Sequence, residues 1–130
     1  MTRHTSAGSK AKGRLFQQEI REDLIREFRL NPVDLQSTAM GQAGCDIYLS
    51  QAARDVFPFG IEAKNVEALK IWEAMEQCET NAEKEGLRPL LVFRRNRTPA
   101  RAVLRWADFL GIWNEVLDLR AKVEQLERDL

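Results

Sequence analysis

Residues 44–64 read Gly44-Cys45-Asp46-Ile47-Tyr48-Leu49-Ser50-Gln51-Ala52-Ala53-Arg54-Asp55-Val56-Phe57-Pro58-Phe59-Gly60-Ile61-Glu62-Ala63-Lys64. Two β-prone segments stand out: Asp46 to Leu49, and the apolar run from Phe57 to Lys64. Ser50 to Val56 between them reads as a turn or a helical crossing. Strand side chains alternate faces, so Glu62 and Lys64 emerge together while Ala63 turns inward. Asp46 opens the first strand, and a hairpin-like return would bring it beside Glu62. Two carboxylates and an ammonium at one sheet edge suit Mg²⁺, which takes hard oxygen ligands, few of them from protein, and keeps several waters. Such an ion acts as a Lewis acid on a phosphodiester oxygen and lowers the pKa of a water it binds. A lysine, as a compact charge, orients that water or stabilises negative charge developing on phosphorus. A Glu-x-Lys triplet alone is equally a strand-end salt bridge, worth under about 1 kcal/mol. That alternative leaves unexplained Asp46 and the approach Gly41-Gln42-Ala43-Gly44, which would let a nucleic-acid backbone come close.

Outward from this stretch, apolar residues Phe16, Ile20, Leu24 and Phe28 recur at a spacing of four. They predict an amphipathic helix over Gly13–Leu30, stopped by Asn31-Pro32. Asp34 to Thr38 reads as a short strand. Val66 to Glu85 lacks Gly and Pro, and Trp72, Met75, Cys78 and Ala82 share one face, predicting a helix with Gly86 at its end. Trp72 and Trp106 are expected in the core, and packing is the expectation for Tyr48 and Phe57. Pro89 to Arg94 reads as a buried strand and Ala102 to Trp106 as a last strand. From Asp108 onward Phe109, Ile112, Val116, Leu119, Val123, Leu126 and Leu130 alternate by three and four, a heptad pattern. The order is helix, three strands, helix, one or two strands, helix: a mixed α/β domain with a small central sheet.

The chain of 130 residues and 15.0 kDa has room for one domain. No apolar run approaches the length of a membrane span, and the polar, basic opening Met1–Arg14 reads as no export signal. Two cysteines, Cys45 and Cys78, make no disulfide framework, so a cytoplasmic setting is expected. His4 is the only histidine, which argues against a histidine-ligated zinc site. Net charge is zero, yet residues 1–14 carry Arg3, Lys10, Lys12 and Arg14 and no acid. Residues 94–105 carry Arg94, Arg95, Arg97, Arg101 and Arg105, again without an acid. Segregation of this kind points to a polyanion as partner, or to a solvated loop and tail.

The order of these pieces resembles the PD-(D/E)xK nuclease superfamily, with its restriction-endonuclease-like core. Within that superfamily it more closely resembles small phage-encoded members and Holliday junction resolvases. The likeness rests on Lys12-Gly13-Arg14-Leu15-Phe16-Gln17, Ser37-Thr38-Ala39-Met40-Gly41, Gly44-Cys45-Asp46-Ile47 and Ser50-Gln51-Ala52-Ala53-Arg54. It continues through Phe57 to Asn65, Ile71-Trp72-Glu73-Ala74-Met75-Glu76-Gln77 and Leu90 to Asn96, covering roughly residues 12–106.

The resemblance implies a DNA endonuclease using Mg²⁺, or Mn²⁺ in its place, and no small-molecule cofactor. Asp46 and Glu62 would be metal ligands, joined by the carbonyl of Ala63, and Lys64 the catalytic lysine. Superfamily members often place a Glu four residues after the Lys-Gly pair, where this chain has Gln17. At about 100° per residue Gln17 falls on the sheet-facing stripe and Glu19 on the polar side, so Gln17 is the better candidate and Glu19 the alternative. Gln77, opposite Trp72 on its helix, is a candidate to face substrate. Lys10, Lys12, Arg14, Ser37, Thr38, Arg94, Arg95 and Arg97 are candidate DNA contacts to phosphate. The expected organisation is a disordered basic arm over 1–12, a nuclease domain over 13–106, and a dimerising helix over 107–130. Branched DNA and a phage origin, hence the host-cell cytoplasm, complete the expectation. Alternatives are a general phage nuclease for repair, host-DNA degradation or packaging, a DNA-binding or structural protein of the same fold without catalysis, and a coiled-coil adaptor.

Overall fold

The computed structural model describes residues 6–39 and 42–130, so Arg3 and Gly41 lie outside the described residues. The elements run α1 (Ser6–Phe28), β1 (Leu35–Ser37), β2 (Ile47–Leu49), α2 (Gln51–Val56), β3 (Phe59–Asn65), α3 (Ile71–Lys84), β4 (Arg88–Arg94), β5 (Arg101–Val103) and α4 (Trp106–Arg128). The fold is mixed α/β, with β3 and β4 parallel across α3 and β5 antiparallel to β4. Among the described residues no helix is long and apolar enough to cross a membrane.

α1 begins at Ser6, seven residues before the expected Gly13, so residues 6–12 are helical and not a disordered arm. Its stripe Phe16, Ile20 and Leu24 is buried against Leu35, Ile47, Leu49 and Ile61, with Ala63 packed beside them. Phe28, at the end of the stripe, is 45% exposed and stacks on Phe57. At the end of α1 Arg29 takes a positive φ of 53°, and Asn31 caps the short turn Pro32–Asp34 by accepting from the Val33 N–H. Arg21 then ties α1 to this turn and to β1, donating to the carbonyls of Pro32 and Leu35.

The strands form two sheets where one was expected: an antiparallel ribbon of β1 and β2, and the set β3-β4-β5. The connection from β2 to β3 is α2, so the hairpin-like return does not occur. Ser50 is the reason: its Oγ accepts from the Ala53 N–H at 3.2 Å and donates to Asp34 at 2.9 Å, a side-chain cap that starts a helix. The ribbon is still joined to β3, because the Asp46 N–H donates to the Ile61 carbonyl at 2.9 Å.

On β3 the alternation works as expected. Ile61 and Ala63 face α1, whereas Gly60, Glu62 and Lys64 face α3. The buried line of α3 is Ala74, Cys78 and Ala82. These small residues bring the helix so close that a Cβ on Gly60 would lie 2.7 Å from Ala82 Cβ and 2.8 Å from Cys45 Sγ. Gly60→Ala is therefore expected to destabilise the protein by about 1–3 kcal/mol, measured by urea unfolding; wild-type stability would mean α3 is not held at this distance. The same centring of α3 overturns the core assignment of Trp72. Two residues before Ala74, it points about 200° away and is 84% exposed. Trp106, at 72% exposure, stacks on Phe109 instead of entering the core.

Candidate active site

Asp46 is held at three points. Its N–H donates to Ile61, its carbonyl accepts from the Thr38 N–H at 2.8 Å, and its Oδ2 accepts from the Ala63 N–H at 2.7 Å. The chain enters this position through Gly44, whose φ of 108° is one that residues with a Cβ rarely adopt. Because the N–H and C=O of one strand residue leave on the same edge, the Ala63 carbonyl emerges on the Asp46 side of β3.

Glu62 is 3% exposed, beneath α3. Its Oε1 lies 3.5 Å from Lys64 Nζ, and the Asn81 amide beside it favours the charged carboxylate. Its Oε2 is buried and has no hydrogen-bond partner. Burial, reinforced by the Asp46 charge, pushes the Glu62 carboxyl up to about 7, against the opposing pull of Lys64 and Asn81. Burial likewise raises Asp46, opposed by the Ala63 N–H and Lys64. Two carboxyls that both resist ionisation, next to a lysine, are a site organised around positive charge.

These groups line a cleft of about 480 Å³ with Gln17, Gln77 and Asn81. Gln17 is 5% exposed, and its Oε1 accepts from Ser37 Oγ at 2.6 Å. Thr38 Oγ1 donates to the Cys45 carbonyl at 2.7 Å. Both hydroxyl protons are thus used inside the fold, Ser37 tying β1 to α1 and Thr38 bracing the turn before Asp46. Glu19 lies outside the cleft and pairs with Arg94, whose guanidinium also sits 4.4 Å over the Phe16 ring. Of the two first-helix candidates only Gln17 lines the cleft, and Arg94 is engaged within the fold. Lys12 pairs with Glu67 at 3.8 Å. Lys10 and Arg14 are exposed on the face of α1 that continues to Gln17, and Arg95 and Arg97 are exposed in the turn after β4.

Asn81 escaped the sequence reading, yet it lies four residues after Gln77, so the two amides share a face of α3. Neither cysteine is a candidate nucleophile. Burial pushes the Cys78 thiol up to about 11 and raises Cys45 as well.

The donor set fits a magnesium-like ion. Asp46, Glu62 and Ala63 line one cleft, and the partnerless Glu62 Oε2 is an acceptor that buried protein rarely leaves unmatched. Among the described residues no three His, Cys, Asp or Glu side chains cluster, so the acidic set is this pair. Gln17→Glu should add a third carboxylate. It is expected to lower ligand-free stability near neutral pH by roughly 1–3 kcal/mol and to enlarge the rise in Tm on adding Mg²⁺. A Mg²⁺ response no larger than that of the wild type would count against cation binding in the cleft.

No family model matches the chain, and no curated protein or solved structure matches it.

Proposed function

We propose that this protein is a Mg²⁺-dependent DNA endonuclease of the PD-(D/E)xK kind, hydrolysing phosphodiester bonds, with branched DNA such as a four-way junction as substrate. The observation that carries this reading is the cleft that Asp46, Glu62 and Lys64 line together, with the Glu62 carboxylate buried at its wall and its Oε2 without a hydrogen-bond partner. Asp46, Glu62 and the Ala63 carbonyl would hold the ion. Bound there, it would supply Lewis-acid polarisation of the scissile phosphodiester. Lys64 Nζ, on the same strand face as Glu62, donates hydrogen bonds to the phosphate oxygens and offsets charge that builds on them during attack. Gln17, held by Ser37, and the α3 amides Gln77 and Asn81 orient polar groups at the cleft wall. Lys10, Arg14, Arg95 and Arg97 hold the backbone without reading bases, which favours recognition by shape. Two free, buried thiols agree with a reducing cytoplasm, that of a host cell if the chain is phage-encoded.

A second reading, DNA binding without cleavage, is favoured by the limited acidic set, in which Gln17 stands where a third carboxylate would. Incubating the protein with a labelled four-way junction and with linear duplex, in Mg²⁺ or in EDTA, separates these readings. Paired symmetric nicks in Mg²⁺ alone support junction resolution, and degradation of linear DNA supports a general phage nuclease. Tight binding without cuts rejects the enzymatic reading.

A further inference from the structure

α4 leaves the globular part of the molecule without burying any residue. Beyond Val116 its apolar stripe is open to solvent, with Leu119 59%, Val123 53% and Leu126 65% exposed. We propose that this stripe pairs with the same stripe of a second copy of the chain, forming a parallel two-stranded coiled coil.

The stripe is itself specific about its partner. With Val116, Val123 and Leu130 at the a positions of the heptad, Leu119 and Leu126 fall at d. Val116 and Val123, β-branched at a, with Leu119 and Leu126 at d form the combination that favours two parallel strands over higher assemblies. The flanking g and e positions then hold Glu115 and Lys122, and Arg120 and Glu127. In a parallel pair each g residue meets the e residue five positions on in the other strand. Glu115 would face Arg120 of the second copy and Lys122 would face Glu127, all attractive and each occurring twice. Of the antiparallel registers that keep a against d, the one centred on the stripe sets Lys122 opposite Lys122 and Arg120 opposite Arg120, and a second sets Asp108 opposite Asp129 while pairing Glu115 with Lys122. A third brings no like charges together but overlaps only residues 119–130 and leaves Val116 unpaired. Within one chain Glu115 pairs with Arg88 at 3.6 Å, and Arg120 lies 5.4 Å from the Trp113 ring centroid. The Arg88 pair is solvent-exposed and weak enough to exchange for the interchain partner. Parallel pairing sets both globular domains, and both clefts, at one end of the coil. The pairing rests on α4 alone and is independent of what the cleft does.

Light scattering of the full chain over a concentration series tests the assembly, and three variants test its geometry. The wild type is expected to reach twice the chain mass of 15.0 kDa. Leu119→Glu, at an exposed position, is expected to give the one-chain mass with an unchanged circular-dichroism spectrum of the domain. Leu126→Cys under mild oxidation is expected to give a disulfide-linked two-chain product, since a parallel coil sets residue 126 beside its own copy. In the two longer antiparallel registers the copies of residue 126 would be at least about 15 Å apart. In the short one, where they come close, the copies of residue 116 would be about 25 Å apart, so cross-linking of both Leu126→Cys and Val116→Cys marks the parallel coil. The native Cys45 and Cys78 are buried and do not compete. A one-chain mass at every concentration, a mass of three or more chains, a Leu119→Glu variant that remains two-chain, or a two-chain protein without the Leu126→Cys or the Val116→Cys cross-link would each overturn the proposal.

Discussion

Glu62→Gln is expected to stabilise the ligand-free protein by up to about 3 kcal/mol near pH 8, and by under about 1 kcal/mol near pH 5. The cause is burial of the carboxyl next to Asp46, which pushes it up to about 7 from an ordinary value of 4.5. A carboxyl raised on folding adds stability while it is protonated. That contribution is complete below about 4.5 and is lost as pH climbs through about 7. Glutamine keeps the shape and stays neutral, so the variant escapes the loss. Chemical denaturation from pH 5 to 8 checks this, and a pH-independent difference between the two proteins would reject burial as the cause. The same substitution removes the anionic acceptor proposed to hold the cation. Mg²⁺ should therefore raise Tm in the wild type and leave the variant nearly unmoved, and the variant should not cut DNA. Gaining stability while losing function is what a site held against its own electrostatics predicts.

Lys64→Ala is expected to slow DNA cleavage by at least ~10²–10³-fold, with junction affinity changed only slightly. The ammonium faces the cleft, where charge develops on phosphate oxygens, whereas affinity rests on the outlying cations Lys10, Arg14, Arg95 and Arg97. Lys64 also holds the Glu62 carboxyl down, so removing it lets burial and Asp46 raise that group further. Mg²⁺ affinity of the variant should accordingly drop near neutral pH and recover as pH is raised, while the cleavage rate does not recover. Single-turnover rates with filter-binding affinities on one junction give both readouts. Cleavage at the wild-type rate would end the case for Lys64 as a catalytic group.

Much of this molecule is dictated by local order in the chain. Phe16, Ile20 and Leu24 at a spacing of four required a helix with one buried side, and Asn31-Pro32 its end. Two-residue alternation alone put Glu62 and Lys64 on one face of β3, and the heptad put Leu119, Val123 and Leu126 on one side of α4. Periodicity of this kind acts through backbone geometry that neighbours share, so it survives without knowledge of the rest of the fold.

Tertiary packing decided the remainder. No local signal says that α3, through Ala74, Cys78 and Ala82, would sit close enough on Gly60 to seal Glu62 from water, and so raise its carboxyl. Nor does any local signal say that Glu19 would be drawn away by Arg94, 75 residues along the chain, or that Asn81 would complete the Glu62 environment. Trp72 ended outside because small residues, not large ones, set the distance between helix and sheet. Residue spacing determines which side chains share a face. Burial, the pairing of distant charges and the protonation of a carboxyl depend on what covers that face, which only the closed fold supplies.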